Sequence, residues 1–309
     1  MSDTGEPIPG QTPDEAINPA DKTHVVIKEI TQRDKILAEI ERIVTIDDDE
    51  KRVKAEESFI KQRVTELTTD SKPTTLSLVS GSVYRGFIHP ETRIMRNFLV
   101  DAVRIDDQEI YRTLLESFRQ FRDNPSWQNK SMREIASHAL IRTLGDYFGN
   151  HYSTSSTEEK NRQFYWDHGS VGSKDISIAE FKGKRMGVCT EKVSVAQNLL
   201  TFMGYDSEFV ISTNNRLDAS ETDDRGGHAY ILITSDKGHF IHDPTNPIMV
   251  EKEDGTVHAV LPSNYPIVEE QYQSLVKGGQ VEVTHTDLIW DGKSYQRKES
   301  VKRTYVGPK

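Results

Sequence analysis

Residues 187–212 read GVCTEKVSVAQNLLTFMGYDSEFVIS. From Cys189 onward, Val193, Ala196, Leu200 and Met203 recur three and four apart, which predicts one apolar face of a helix. Gly204 is a suitable stop, because glycine adopts the left-handed conformation that closes many helices. Past it, residues 208–212 read as a strand. Further strand-like runs cover residues 227–234 and 239–242, with Asp236-Lys237-Gly238 as a hairpin turn between them. Others are expected near residues 256–261 and 281–284 and on both sides of Asp291-Gly292, with a short helix around residues 269–277. The polar stretch 214–226 reads as a mobile loop.

Upstream the period is helical. Ile110, Tyr111, Leu114, Leu115 and Phe118 mark one helix, broken at Asn124-Pro125. Ser131-Met-Arg-Glu134 is a capping box that opens the next, which runs through Ile135, Leu140, Leu144, Tyr147 and Phe148 to Gly149. Residues 150–175 are polar and turn-rich, and residues 76–104 are ambiguous, with strand-like pieces at 76–79 and 98–103. Nearer the N-terminus, Ile36, Leu37, Ile40, Ile43 and Val44 predict one helix, and Val53, Ile60, Val64 and Leu67 a second. The expected division is a disordered tail over 1–23, a mainly helical region over 24–104 and a second domain over 105–309. Helices first, then a helix followed by antiparallel strands, predict an α+β fold.

Composition narrows the function. Among 309 residues, Lys+Arg is 39 and Asp+Glu is 49, a net charge of −10. Such a chain is poorly suited to bind nucleic acid or an anionic membrane without specificity. No apolar run approaches the ~18 residues of a membrane span, and the N-terminus has no signal-peptide pattern, so a cytoplasmic protein is expected. A single cysteine excludes an intrachain disulfide and any multi-cysteine zinc site.

That cysteine, Cys189, sits at the first turn of the predicted helix. Unpaired backbone N–H groups and the positive end of the helix dipole favour a thiolate there, and the same groups can stabilise an oxyanion. A lone cysteine is otherwise more often plain core. His228 follows two glycines at a strand start, where an ordinary sheet-edge histidine is the commoner role. Asp243 precedes Pro244, usually a turn-forming arrangement. If His228 pairs across from Asp243, Ile233 faces Gly238 and a four-residue loop, 234–237, remains. The aspartate can then orient the imidazole. Together the three satisfy the logic of a nucleophile, a general base and an orienting acid.

Four segments carry this set: Gly187-Val-Cys-Thr-Glu-Lys-Val193, Gly204-Tyr-Asp-Ser-Glu-Phe-Val210, Gly227-His-Ala-Tyr230 and His242-Asp-Pro-Thr245. In this order they resemble the transglutaminase-like superfamily. The likeness is specific from about residue 176 to 245, looser over the two preceding helices and thin beyond Pro247; it does not reach residues before about 100. The resemblance implies a papain-like α+β core and a Cys189–His228–Asp243 triad without cofactor or metal. It also implies a further oxyanion side chain upstream of the cysteine, for which Gln163, Tyr165 and Trp166 are candidates. Arylamine N-acetyltransferases share the triad order, but Asp243-Pro-Thr is closer to the transglutaminase-like pattern.

The implied function is cysteine-dependent acyl transfer from a protein or peptide amide, as a thiol hydrolase (protease, amidase or deamidase) or a transglutaminase. A non-catalytic interaction module on the same scaffold is the alternative. His239 and His242 could suggest a metal, but residues three apart on a strand point to opposite faces. The basic residues Lys293, Arg297, Lys298, Lys302, Arg303 and Lys309 form a locally basic hairpin or tail that reads as a solvated strand edge.

Overall fold

The computed structural model describes residues 31–69, 75–88, 95–104, 108–149, 174–184, 187, 189–212 and 228–308. The expected tail over 1–23, the loop 214–226 and residues Gln163, Tyr165 and Trp166 lie outside them. The described chain is a mixed α+β structure.

Four helices come before the Cys189 segment. They are α1 (Gln32–Val44), α2 (Asp49–Thr69), α3 (Glu109–Asp123) and α4 (Met132–Phe148). Ser131 and Glu134 form the expected capping box on α4, and Thr31 and Asp34 form another on α1. Strands β1 (Thr75–Ile88) and β2 (Met95–Arg104) pair antiparallel, and β3 (Lys174–Ser177) adds to β2 in parallel.

Helix α5 runs Cys189–Phe202, with Gly204 at φ 84° just beyond it. Its burial is wider than the single face expected. Val195, Leu199 and Phe202 are fully buried along with Val193, Ala196 and Met203. The reason is that the helix is central, with α4 and α2 on one side and a sheet on the other. Arg63 of α2 donates to the carbonyls of Thr201 and Phe202 at 3.1 Å each, and so satisfies carbonyls at the buried C-terminal end of α5. On α2 the buried stripe is Arg52, Phe59, Ile60 and Arg63; Val53 is 46% exposed, one residue off that stripe.

The sheet against α5 has the order β4 (Asp206–Ser212), β5 (His228–Ser235), β6 (Gly238–His242) and β9 (Asn264–Ile267), all antiparallel. Alternation along β5 divides two cores. Ala229, Ile231 and Ile233 join one apolar cluster with α1–α5, while Tyr230 and Leu232 face a second cluster. That second cluster is closed by α6 (Glu269–Val276) and by the β10 (Gln280–His285)–β13 (Val301–Val306) pair. A separate sheet joins β7 (Ile248–Lys252), β8 (Val257–Leu261), β11 (Leu288–Trp290) and β12 (Tyr295–Arg297).

The β5–β6 register differs from the expected one by two residues. Ile233 pairs with Phe240 and Ser235 with Gly238, which leaves a two-residue turn, Asp236-Lys237. Gly238 takes φ 117°, and the Ser235 hydroxyl accepts the Lys237 N–H at 3.1 Å. Asp236 is held by Arg33 at 2.9 Å and Arg133 at 3.2 Å, which ties the turn to α1 and α4. A slip of two keeps every side chain on its face, so His228 and Asp243 remain on the same side as diagonal neighbours.

Candidate active site

Cys189 is the first residue of α5, and 7% of it is exposed. The approach to it depends on Gly187. That residue has φ 120°, and a Cβ there would lie 2.7 Å from the Phe148 ring. Only glycine lets the chain pass α4 this closely and still start a helix at residue 189. The first-turn N–H groups of α5 have no partner within the helix, which gives the sulfur a positive surrounding.

His228 is the first residue of β5 and is buried. The Cys189 side chain is hydrogen-bonded to it. Its Nε2 lies 2.8 Å from Oδ2 of Asp243, so Nδ1 is the nitrogen left for the sulfur. Asp243 follows directly on β6 and is fully buried. Its Oδ1 accepts the backbone N–H groups of Thr245 and Asn246 at 3.1 and 3.2 Å. Its Oδ2 accepts Nδ2 of Asn246 at 2.9 Å and the Tyr305 hydroxyl at 2.7 Å besides the imidazole. The Asp243 carbonyl accepts the Ser263 hydroxyl at 2.6 Å, which fixes the backbone as well.

These contacts decide the charge state. Burial disfavours an imidazolium, but the Asp243 carboxylate and the Cys189 sulfur outweigh it and raise His228 to about 10. Burial likewise disfavours a carboxylate, yet His228, Asn246 and Tyr305 hold Asp243 well below the usual carboxylate range. At neutral pH the pair is therefore an imidazolium and a carboxylate, with the sulfur beside the imidazolium.

Lys192, one turn along α5 from Cys189, is buried with Nζ 2.7 Å from the Gly149 carbonyl. Burial lowers it to about 8 against the opposing pull of Asp243. Two other described histidines have partners of their own. His239 contacts Glu269 at 2.7 Å and stacks on Tyr272, and His242 contacts Asn264 at 2.7 Å. Among the described residues no group of three side chains could hold a metal ion, and no helix is long and apolar enough to cross a membrane. The C-terminal basic residues are partly paired, Lys298 with Glu251 and Lys302 with Glu282.

No protein-family model matches the chain, and no curated protein matches it.

The structure brings Cys189, His228 and Asp243 into one hydrogen-bonded series. Sequence reasoning missed Asn246, Tyr305 and Lys192. Asn246 had a local signal, since an Asp-x-x-Asn turn lets the asparagine amide reach back to the carboxylate. Lys192 had one too, at helical spacing from Cys189. Tyr305 had none, because 62 residues separate it from Asp243.

Proposed function

We propose that this protein is a cysteine-dependent acyl-transfer enzyme with a transglutaminase-like, papain-like core, acting on a protein or peptide amide. The observation that carries the reading is a sulfur at a helix start, hydrogen-bonded to a histidine whose other nitrogen is 2.8 Å from a fully buried carboxylate.

The sulfur of Cys189, as thiolate, attacks the amide carbonyl carbon, and the developing oxyanion meets the N–H groups at the start of α5. The C–N bond breaks as His228 passes its proton to the departing amine. A thioester remains on Cys189. Water or an amine then attacks the thioester carbon, His228 takes up the proton that this nucleophile loses, and the C–S bond breaks to release the acid or new amide and return Cys189 as the thiolate. Asp243 stays ionised throughout and keeps the imidazole in place. Hydrolysis ranks above transfer to an amine by analogy with the superfamily.

The test uses an activated ester, p-nitrophenyl acetate, and mass spectrometry. The expected result is a burst of one nitrophenolate per chain, a mass increase of one acetyl on Cys189, and its release by hydroxylamine. Cys189→Ala should show neither burst nor adduct. A burst that persists in Cys189→Ala, or none in the wild type, would contradict the proposal and favour the non-catalytic interaction module.

A further inference from the structure

Tyr305 lies on β13, is fully buried, and pairs in register with Val281 of β10. Its ring centroid is 5.0 Å from Tyr230, 6.0 Å from Tyr265 and 6.2 Å from His228. The titratable and charged groups around it are thus His228, Tyr230, Asp243 and Tyr265, with Arg303 on its own strand. A buried phenol needs an acceptor. Of those available, the hydroxyl of Tyr305 takes Oδ2 of Asp243, the atom that also receives His228 Nε2. With Asn246 as the third donor on the same oxygen, rotation of the carboxyl group would break three hydrogen bonds at once.

We propose that Tyr305 is a positioning residue for the Cys189–His228–Asp243 site, its hydroxyl locking the carboxylate that orients His228. The inference rests on the nucleophilic reading of that site. It makes the β10–β13 pair part of the active-site framework rather than an appendage. The pair is tied to β5 by the Tyr230 hydroxyl on the Val306 carbonyl at 3.1 Å, and its own ladder is extended by the Gly307 N–H on the Gly279 carbonyl at 2.8 Å.

The experiment compares wild type, Tyr305→Phe and Tyr230→Phe in the full chain. Both variants keep a ring in place. The first removes the donor to Asp243, and the second removes only an anchor of β13. Iodoacetamide alkylation of the single thiol is followed from pH 5.5 to 9.5. Tyr305→Phe should label about tenfold more slowly at pH 6, the size of one lost charge-assisted hydrogen bond, and approach wild type near pH 9. Tyr230→Phe should follow wild type throughout. A Tyr305→Phe profile that superimposes on wild type would overturn the proposal, as would an equal loss in Tyr230→Phe. Wild-type labelling that follows an ordinary thiol would instead remove the reading of the site.

The Nε2–H proton of His228, assigned by its disappearance in His228→Gln, gives a readout independent of the sulfur. It should broaden and exchange faster in Tyr305→Phe. An unchanged resonance would overturn the positioning role even if the thiol were inert.

Discussion

Among the described residues, two buried histidines are paired with aspartate, and they differ in what else they touch. His228 stands between Asp243 and a cysteine at a helix start. His285 stands between Asp287, at 3.2 Å, and the Tyr265 hydroxyl, at 2.6 Å. Asp243 is fully enclosed and its carboxylate accepts five hydrogen bonds. Asp287 is one-third exposed and also holds the Met249 N–H at 2.8 Å. Burial pushes the Tyr265 phenol above its ordinary range, so it remains protonated at neutral pH. A histidine–carboxylate pair is thus common structural material. It becomes a candidate site where it faces an ionisable sulfur supported by a helix N-terminus.

Removing each carboxylate should separate the two pairs most widely. Asp243→Ala strips the buried imidazolium, the phenol and the Asn246 amide of their acceptor, and should cost about 3–5 kcal/mol in urea unfolding at pH 6. Asp287→Ala should cost only about 1 kcal/mol, because solvent reaches that site. Equal losses would erase the distinction between them.

The next effect in size concerns the helix start. Gly187→Ala forces a Cβ against Phe148 at a positive φ and should cost about 1–3 kcal/mol. It should also slow alkylation of Cys189 while leaving the His285 resonances unmoved. A variant as stable and as reactive as wild type would show that the glycine does not set the position of the thiol.

The smallest effect is the pH dependence of stability. The folded-state value for His228, about 10, is above the ordinary histidine value of ~6.5, so the native state binds the extra proton between them. The contribution is complete below ~6.5 and is lost as pH rises towards 10. Lys192, lowered to about 8, acts in the opposite sense above that pH, so the clean window is ~6.5 to 8. Wild-type stability should fall with pH across this window, and the slope should flatten in His228→Gln. An identical slope in both would mean that His228 is neutral in the folded protein.

How much of this was legible in the sequence depended on distance along the chain. Local signals held: the Ser131 capping box and the glycine after α5. The three candidate residues lie within 55 positions, close enough for helix and hairpin geometry to bring them together. The register misread came from turn chemistry, since Asp236-Lys237 turns in two residues once Gly238 supplies a positive φ. Strands β7 and β9 were not foreseen, and β13 was read only as a solvated edge. Their patterns are short, and β9 carries Pro266 and β13 the polar run Lys302-Arg303-Thr304, so burial on one face is set by partners far away in sequence. Tyr305 belongs to the same class. Nothing near it marks it as a partner of Asp243.

Whether Cys189 and His228 form a reactive pair is read from the alkylation rate of Cys189 against pH. The chain has a single cysteine, so the signal belongs to one site. A reactive pair gives rapid labelling that persists well below the ordinary thiol pKa of ~8.5 in wild type, and a profile displaced towards that value in His228→Ala. Slow labelling with the same pH dependence in both proteins would contradict it.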